Sequence, residues 1–467
     1  MRQVYLIYLS DSRYDYAGLI NTKRMKVSPK LGLPYLKGAL NIKGIKAEVF
    51  DQDINNFSMD DLISKIKVDQ PFFVGFYASE RLKDSVLLWL ERIRQHCHST
   101  LLVVGGPGFF SYTDYHQVGC DIVCHGEGEV TVLEIVEYVQ GQRNLASIRG
   151  ISWKDGETIT VNAARAPISD LDSIPFPIRE NIDKYVDNHY FTMKKPFVSM
   201  MASRGCQWRC SYCASPEIWG KITRCRSVKN VVDEIESLVL NYKIKYIAFK
   251  DDCFGSKLSW LREFSETMVL RNFGVKFSCM VNPSDLCHGY EEKIILLKTA
   301  GCDMLIFGVQ SADPDILAKI GRPYIGVDAL PSIVRFSKKS GICVVLEFIF
   351  GLPGETKASV NKTINFVSRV RPNVVQYNLL KLLEGSDLFN SKQMDDVPIM
   401  ISHRQLRKIV FLAYFRHYLA PEIFFHNIFF IIRYNPKYIF SGLALILYPF
   451  TMAVRLICSG CFSLKKD

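Results

Sequence analysis

Short apolar runs alternate with amphipathic stretches between Phe197 and Leu380, with a new run roughly every thirty residues. Repeats of this kind predict right-handed βαβ units and a parallel sheet. Six units predict a partial (β/α)6 TIM barrel, whose ligands lie at the carboxyl ends of the strands. The runs that predict its strands are Phe197–Ser203, Lys245–Lys250, Val275–Val281, Met304–Val309, Cys343–Phe350 and Val374–Leu380.

The stretch that follows the first of these runs has the pattern of a helix. Ser227 is a favourable N-cap residue, because its hydroxyl can accept a hydrogen bond from a free backbone N–H of the first turn. Apolar side chains then recur on one helical face up to Tyr242. The spacing therefore predicts a helix that begins directly after Ser227.

The first 150 residues form a separate pattern of buried strands and amphipathic helices. Helices are predicted over Leu31–Lys43 and Val130–Gln140. This order predicts a doubly wound, Rossmann-like α/β domain with its ligand crevice beyond the carboxyl ends of the strands. No G-x-G-x-x-G motif follows the first run, so a dinucleotide site has little support. The predicted strands are Val4–Leu9, Ala47–Asp53, Phe72–Tyr77, Leu101–Pro107 and Asp121–Glu129.

A proline-rich segment, Pro167–Pro177, is typical of an extended connector between compact domains. We therefore divide the chain into an α/β domain (residues 1–150), a linker (151–190), the barrel (191–385) and a helical C-terminal region (386–467). At 467 residues and 48% hydrophobic content, the chain has enough apolar residues for these units.

Three cysteines in the stretch Arg204-Gly-Cys-Gln-Trp-Arg-Cys-Ser-Tyr-Cys-Ala-Ser215 carry the clearest chemical signal. Cys206, Cys210 and Cys213 have the spacing C-x3-C-x2-C, directly after the first predicted barrel strand. Three thiolates can hold a 4Fe–4S cluster while leaving one iron without a protein ligand. A structural zinc site is the alternative, and it would require a fourth ligand. The next cysteine, Cys225, lies twelve residues further on.

This spacing, and much of the surrounding chain, resembles the radical S-adenosylmethionine (SAM) superfamily. The resemblance implies that the open iron binds SAM and that SAM cleavage gives a 5′-deoxyadenosyl radical. Elements at the other strand ends resemble the SAM-binding motifs of that family, although Gln310 stands where relatives usually carry glutamate. The residues that the resemblance assigns to SAM are Asp251, Asp252, Gln310, Ser311, Gly351 and Glu355.

The first domain and the linker resemble those of the cobalamin-dependent radical SAM enzymes. The spacing Asp-x-His-x-x-Gly occurs at Asp114-Tyr-His-Gln-Val-Gly119 and includes His116, whereas His125 lacks it. Enzymes of this family usually bind cobalamin without a histidine ligand to cobalt, and the resemblance implies the same here. A domain that has lost cobalamin is the alternative. The residues assigned to cobalamin are Ser10, Tyr77, Ser79, Gly105, Gly106, Gly126 and Glu127.

The function implied by this resemblance is radical methylation of an unactivated carbon in a hydrophobic or secondary metabolite, with methylcobalamin as the methyl donor. A cyclase, ring-contraction or oxidation enzyme of the same family is the first alternative. A sensor without turnover is the second, but a sensor would not need a cluster with an open iron. An electron donor such as flavodoxin or ferredoxin is an implied partner.

The positive charge of the chain is concentrated near its end. The formal net charge is +11, and residues 404–467 contain nine Lys/Arg against two Asp/Glu, which gives +7. Tyr438–Val454 is uncharged but short for a spanning helix, and it contains Gly442 and Pro449. Its basic flanks favour either contact with an anionic membrane surface or packing on the barrel. Nucleic-acid binding is not expected, because apolar residues interrupt the basic ones.

The fourteen cysteines and the start of the chain bear on the compartment. Apart from the three in the motif, most cysteines lie in or near apolar strands, which indicates buried thiols rather than disulfides. The apolar stretch at the N-terminus is too short for a signal peptide. These features predict a cytoplasmic protein, with possible membrane association at its C-terminus.

Overall fold

Two large β-sheets, one mostly and one wholly parallel, organise the chain in this computed structural model, which describes residues 3–10, 26–27, 29–187, 196–391 and 401–425. The strands are β1 (Val4–Tyr8), β2 (Lys26–Val27), β3 (Ala47–Asp51), β4 (Phe73–Tyr77), β5 (Leu102–Gly105), β6 (Ile122–Cys124), β7 (Ile151–Asp155), β8 (Thr158–Val161), β9 (Val186–Asp187), β10 (Phe197–Met200), β11 (Ser203–Arg204), β12 (Arg224–Cys225), β13 (Tyr246–Phe249), β14 (Lys276–Val281), β15 (Cys302–Gln310), β16 (Cys343–Phe350) and β17 (Val374–Leu379).

Helices connect most of the parallel strands, as the alternating pattern predicts. The α-helices are α1 (Gly32–Ile42), α2 (Met59–Asp69), α3 (Lys83–His96), α4 (Tyr112–Gln117), α5 (Gly128–Val139), α6 (Ser215–Trp219), α7 (Val228–Tyr242), α8 (Leu258–Arg271), α9 (Pro283–Leu286), α10 (Tyr290–Thr299), α11 (Pro314–Lys319), α12 (Ile325–Lys339), α13 (Lys357–Val370), α14 (Asp387–Asn390) and α15 (His403–Tyr418). The predicted cap of α7 is confirmed, because Ser227 Oγ accepts a hydrogen bond from Asn230 N at 3.1 Å.

The first sheet confirms the doubly wound prediction. Its strand order is β3-β1-β4-β5-β6-β7-β8, and the first five strands are parallel. Because β1 pairs with both β3 and β4, the chain reverses its direction of winding there, and the ligand crevice of such sheets lies at that point. Ser10 follows β1 and Tyr77 ends β4, so two residues assigned to cobalamin flank this switch point.

The sheet of the first domain continues past residue 150 into the segment assigned to the linker. Strands β7 and β8 form an antiparallel hairpin on its edge and extend it to Val161. The turn between them contains Asp155 and Gly156, and Gly156 has φ +58°. An Asp-Gly pair between alternating residues is a hairpin signal, so this extension was readable from the sequence.

The second sheet has the order β10-β13-β14-β15-β16-β17 and is parallel throughout, which confirms the six-stranded partial barrel. Apolar residues on the outer face of its strands pack against the surrounding helices. The inner face carries a separate apolar layer near the amino ends of the strands, which includes Phe197, Tyr246, Met304 and Val345. This layer closes the amino end of the barrel interior, so the carboxyl ends remain for a site.

The first predicted barrel strand is shorter than expected, because it splits in two. Strand β10 ends at Met200, and Ser203–Arg204 then pairs with Arg224–Cys225 as an antiparallel ribbon. The ribbon formed by β11 and β12 encloses residues 205–223, which include all three cysteines of the motif. We call residues 205–223 the cysteine loop.

The described part of the C-terminal region packs on the edge of the barrel. The hydroxyl of Tyr414 accepts a hydrogen bond from Tyr377 N (2.9 Å), and that of Tyr418 accepts one from Val375 N (3.2 Å). Helix α15 thereby covers the outer face of β17. Residues 438–454, on which the membrane prediction rests, lie outside the described residues. Among the helices of the described ranges, none is both long and apolar enough to cross a bilayer.

Candidate functional site

The cysteine loop begins at the carboxyl end of the barrel sheet, where the sequence places it. Cys210 is buried, and Cys206 and Cys213 are half-buried, so the three thiols lie at the boundary between the interior and an accessible site. The described ranges contain no three acidic, histidine or cysteine side chains close enough to hold a single metal ion. A 4Fe–4S cube requires a different arrangement, because each cysteine binds its own iron. Three free thiols on one short loop fit that arrangement.

The surroundings of the three sulfurs differ. A hydrogen bond with Cys253 lowers the pKa of the Cys206 thiol, whereas burial raises the pKa of Cys213 to about 12. The guanidinium of Arg322 donates a hydrogen bond to Cys210 Sγ at 3.4 Å. A metal ligand must be a thiolate, so ligation by Cys213 has to displace a proton.

Arg322 and Cys253 are two site residues that the sequence reasoning did not assign. Arg322 also donates to the carbonyl oxygen of Gly308, so it joins the fourth barrel strand to Cys210. Cys253 donates to Asp285 Oδ2 at 3.1 Å while facing Cys206. No spacing rule identifies Arg322, but Cys253 lies in the same strand-end segment as Asp251 and Asp252.

The two acidic residues after β13 have different surroundings. Asp251 is buried, and its carboxylate accepts hydrogen bonds from Ala202 N (3.0 Å) and Ser203 Oγ (2.6 Å). It therefore supports the chain that enters the cysteine loop. Asp252 is half-buried and accepts a hydrogen bond from Ser215 Oγ at 2.6 Å, just beyond Cys213. Of the two, Asp252 is the better placed for contact with a ligand.

The fourth strand ends in a bulge that carries Gln310. The register between β15 and β16 shifts there, and Gln310 has φ +71°, which a residue other than glycine rarely adopts. A Cβ on Gly308 would lie 2.6 Å from Gln310 Nε2, so the glycine makes room for the amide. Ser311 is fully buried, and its hydroxyl accepts a hydrogen bond from Asp313 N at 3.1 Å, so it is a structural residue.

The fifth strand ends at a buried acid with a free oxygen. Glu355 Oε2 accepts a hydrogen bond from Gly351 N at 2.6 Å, and Gly351 has φ +88°. Glu355 Oε1 is buried and has no hydrogen-bond partner. A buried oxygen without a donor is costly, so a donor from a bound molecule fits this position.

Burial raises the pKa of Glu355 to about 7, which gives a testable pH dependence. The ordinary value is 4.5, so the folded state holds a proton that the unfolded state releases. Stability is therefore fully present below pH 4.5 and falls as the pH rises towards 7, by at most about 3 kcal/mol. We expect Glu355→Gln to remove this loss.

The measurement is the thermal midpoint of the apoprotein and of Glu355→Gln from pH 4.5 to 8. The two curves should differ most at high pH and converge at low pH. A constant difference across this range would show that the Glu355 carboxyl does not titrate there.

The carboxyl edge of the first sheet brings together most of the residues assigned to cobalamin. The loops after β4 and β5 are joined by the hydrogen bond from Ala78 N to Gly105 O (2.7 Å). A Cβ on Gly106 would lie 2.7 Å from the oxygen of Ala78 and 3.0 Å from the ring of Tyr77, so only glycine permits this approach. Ser79 and Ser10 lie on the same edge, and both are partly exposed.

An aromatic pair lies at the switch point of this edge. The rings of Tyr8 and Tyr77 stack with their centroids 5.1 Å apart. The ammonium of Lys30 lies 4.0 Å from the centre of the Tyr8 ring and pairs with Asp53 at 2.8 Å. Gly126, with φ +83° and open space around its Cα, lies after β6 on the same edge. Backbone, aromatic faces and small side chains fit a large, flat cofactor.

Neither histidine considered for cobalt has the setting of such a ligand. His116 is fully buried; its Nδ1 lies 2.8 Å from Cys120 O and its Nε2 lies 3.0 Å from Ser152 Oγ. His125 Nε2 lies 3.1 Å from the same hydroxyl, and burial lowers the pKa of His125 to about 4. Both rings therefore belong to an internal hydrogen-bond chain centred on Ser152.

Glu127 does not lie free on this edge. Its carboxylate is buried and forms ion pairs with Arg204 and Arg224, the two arginines of the ribbon around the cysteine loop. It contacts the barrel domain rather than an open crevice. Its assignment to cobalamin rests on the resemblance of the first domain to cobalamin-binding domains, and a single sequence does not reveal a partner more than seventy residues away.

Polar side chains line the barrel interior above its apolar layer. Glu347, Gln376 and Asn378 alternate with the outward-facing residues of β16 and β17, and all three are partly exposed. Glu347 lies opposite Gln376 in the register of the two strands. Below them the interior is closed, so a molecule entering from the carboxyl end would meet this polar layer.

The fold and site together define a class: an α/β enzyme in which a doubly wound domain adjoins a partial barrel that carries a three-cysteine loop. Comparison with protein families agrees with this. The Radical SAM superfamily model matches residues 200–367, and the B12 binding domain model matches residues 19–136. The chain belongs to the radical SAM enzymes that carry a B12-binding domain.

Individual relatives cover most of the chain. An uncharacterised methyltransferase of Pyrococcus horikoshii is 28% identical over 425 residues, which are 86% of this chain and 90% of the relative. The anaerobic magnesium-protoporphyrin IX monomethyl ester cyclase of Rubrivivax gelatinosus is 27% identical, covering 77% of this chain and 66% of the cyclase.

Among solved structures, the radical SAM methyltransferase TsrM from Kitasatospora setae, determined with cobalamin and a [4Fe–4S] cluster, superposes with a TM-score of 0.69. The match covers 84% of this chain and 75% of TsrM at 20% identity. At that identity the superposition establishes a shared fold.

Proposed function

We propose that this protein is a cobalamin-dependent radical SAM methyltransferase that methylates an unactivated carbon of a small molecule. One observation carries the proposal: the cysteine loop lies at the carboxyl end of the barrel and is joined by buried ion pairs to the carboxyl edge of a B12-type domain. The two loops assigned to cofactors therefore meet at one site. The uncharacterised methyltransferase of Pyrococcus horikoshii, similar over 86% of this chain, supports methyl transfer.

Three groups of residues would hold the cofactors. Cys206, Cys210 and Cys213 would bind the 4Fe–4S cluster. For SAM, the assigned residues with room for a ligand are Asp252, Gln310 and Glu355, whereas Asp251 and Ser311 support the site from within the protein. The residues assigned to cobalamin that leave room for a ligand are Ser10, Tyr77, Ser79, Gly105, Gly106 and Gly126. When bound, the cluster and SAM supply one-electron hydrogen abstraction, and cobalamin supplies the methyl group.

The side chains of the protein orient the cysteine loop and shield the site from water. Arg322 donates a hydrogen bond to Cys210 Sγ and so orients this sulfur. Asp251 fixes the entry to the cysteine loop through Ala202 and Ser203. The apolar layer of the barrel closes the site from the amino end, which keeps water from entering on that side.

The proposed substrate carries polar groups in addition to the carbon that is methylated. Glu347, Gln376 and Asn378 face the interior and offer a carboxylate and two amides. Gln376 Nε2 donates a hydrogen bond to Asn378 Oδ1 at 3.1 Å, and a substrate with polar groups matches such a polar layer better than a hydrocarbon does. The apolar tail also favours a lipid-like substrate, and its residues 426–467 lie outside the described residues.

Cyclisation is the second candidate reaction, favoured by the 27% identity to the anaerobic magnesium-protoporphyrin IX monomethyl ester cyclase. Both candidates require a one-electron donor, for which we propose a flavodoxin or ferredoxin. A reducing cytoplasm is the proposed location, because air would oxidise the thiols and the cluster. Membrane contact through residues 438–454 stays a prediction.

The test is anaerobic reconstitution with iron, sulfide and cobalamin, followed by addition of SAM and dithionite. We expect 5′-deoxyadenosine, together with S-adenosylhomocysteine that forms only when cobalamin is present. Mass spectrometry of both products is the measurement, and protein without cobalamin is the control.

The two products separate the candidate reactions. 5′-Deoxyadenosine without S-adenosylhomocysteine would favour the cyclase. The absence of 5′-deoxyadenosine from a protein with a full complement of iron would contradict both reactions.

A further inference from the structure

Two arginines at the base of the cysteine loop converge on one carboxylate of the other domain. Arg204 and Arg224 lie opposite each other in the ribbon of β11 and β12, at the two ends of the cysteine loop. Cys206 follows Arg204 after a single glycine. The position of Arg204 therefore determines where the first cysteine of the loop lies.

The contacts of the Glu127 carboxylate are short, and both of its oxygens have two partners. Glu127 Oε1 lies 2.8 Å from Arg204 Nη1 and 3.1 Å from Arg224 Nη1. Glu127 Oε2 lies 3.0 Å from Arg224 Nη1 and 2.5 Å from the backbone nitrogen of Ile168, in the linker. One side chain thus contacts both ends of the cysteine loop and the segment that connects the two domains.

Arg204 has further partners on both sides of the interface. Its Nη2 lies 2.5 Å from Glu129 Oε1, and its guanidinium lies 5.2 Å from the ring centres of both Tyr35 and Trp219. Tyr35 belongs to α1 of the first domain, and Trp219 belongs to the cysteine loop. The arginine is therefore held between the two domains by charge and by aromatic faces.

The group is buried and electrically balanced. Arg204 and Glu127 expose only 4% and 3% of their side chains, and the two arginines match Glu127 and Glu129 in charge. Buried ion pairs add little net stability against apolar replacements, but they are strongly selective for one geometry, because a displaced partner leaves a buried charge unpaired. Such a group of ion pairs is suited to fixing the position of the two domains relative to each other.

We propose that Glu127 is a positioning residue that fixes the cysteine loop relative to the carboxyl edge of the B12-type domain. Its backbone follows Gly126 on that edge, and its side chain holds both ends of the loop that carries the cysteines. The inference rests on the proposed function, since it sets the separation between the cluster and cobalamin. It also gives Glu127 a role other than contact with cobalamin.

The expected consequence is large, because transfer between two cofactors requires accurate placement. A displacement of about 1 Å at a reacting centre can lower a rate by about a hundredfold. Glu127→Gln keeps the shape of the side chain but removes its charge, so Arg224 loses the carboxylate with which it pairs and Arg204 keeps only Glu129. We expect the two domains to sample several relative positions in this variant.

The experiment measures dipolar EPR coupling between cob(II)alamin and the reduced cluster in the reconstituted full-length protein, without substrate. Wild type should give one narrow distance distribution, and Glu127→Gln a broader or shifted one. Glu134→Gln is the matched control, because Glu134 lies on the same helix α5 and pairs with Arg165, away from the cysteine loop. Cobalamin and iron content should be equal in all three proteins.

Each outcome has a distinct meaning. An unchanged distribution in Glu127→Gln, with both cofactors bound, would overturn the positioning role and leave the proposed function intact. Wild type that binds no cobalamin or assembles no cluster would instead overturn the proposed function. If Glu127→Gln does not fold, Arg224→Lys carries the test, since it keeps the charge but changes the contact geometry; a distribution identical to wild type would again overturn the proposal.

Discussion

Cys210→Ala should abolish cluster assembly and, with it, all formation of 5′-deoxyadenosine. Cys210 is the middle cysteine and the buried one of the three, and its sulfur faces the guanidinium of Arg322 at 3.4 Å. Two remaining cysteines cannot hold a 4Fe–4S cube in place of three, and alanine leaves the positive charge of Arg322 without its partner. The measurements are iron and sulfide content per chain, the visible absorption of the cluster, and 5′-deoxyadenosine after reduction with dithionite.

Cys225→Ala is the matched control for this variant. Cys225 is a half-buried free thiol twelve residues after Cys213, at the foot of the same loop, and it is the nearest candidate along the sequence for a fourth ligand of a zinc site. We expect its loss to leave iron content and 5′-deoxyadenosine formation unchanged. Equal loss in both variants, or a chain that binds zinc and no iron, would contradict the assignment of the cluster to Cys206, Cys210 and Cys213.

The barrel and the position of the cysteine loop were predictable because they follow from local patterns. The alternation of strands and helices locates each strand end to within a few residues, and the cysteine spacing lies within a single loop. The residues at the other strand ends are assigned through their resemblance to the SAM-binding motifs of the family. Their separation into ligand-facing Asp252 and structural Asp251 was not predictable, since it depends on which side chain meets Ala202 and Ser203.

Residues that act across the domain interface could not be recognised from sequence. Glu127 follows a glycine on the edge assigned to cobalamin, and its partners lie 77 and 97 positions further along the chain. Arg322 is likewise 112 positions from Cys210. These contacts are set by tertiary packing, between the two domains for Glu127 and within the barrel for Arg322, and a single sequence holds no spacing signal for either.

Gly205→Ala should prevent the cysteine loop from closing, although it removes no ligand. Gly205 lies between Arg204 and Cys206 with φ +86°, a conformation that alanine adopts at a cost of about 1–2 kcal/mol. A Cβ there would also collide with the backbone oxygen of Ile222, which lies across the foot of the loop and cannot rotate away. Overpacking of this kind adds about 1–3 kcal/mol, and the strain falls on the ribbon that positions the cysteines.

Gly141→Ala separates the conformational cost of a positive φ from the steric collision with Ile222. Gly141 has a similar φ of +76°, but a Cβ added there would meet no atom within 4 Å, so alanine incurs only the conformational cost. We expect Gly141→Ala to lower the free energy of unfolding by about 1 kcal/mol with normal iron content. Gly205→Ala should lower it by about 3 kcal/mol and lose most of its iron. Full iron content in Gly205→Ala would mean that the cysteines reach the cluster without the tight approach of Gly205 to Ile222. Because no ligand is changed, iron content in this pair of variants reports on the shape of the loop alone.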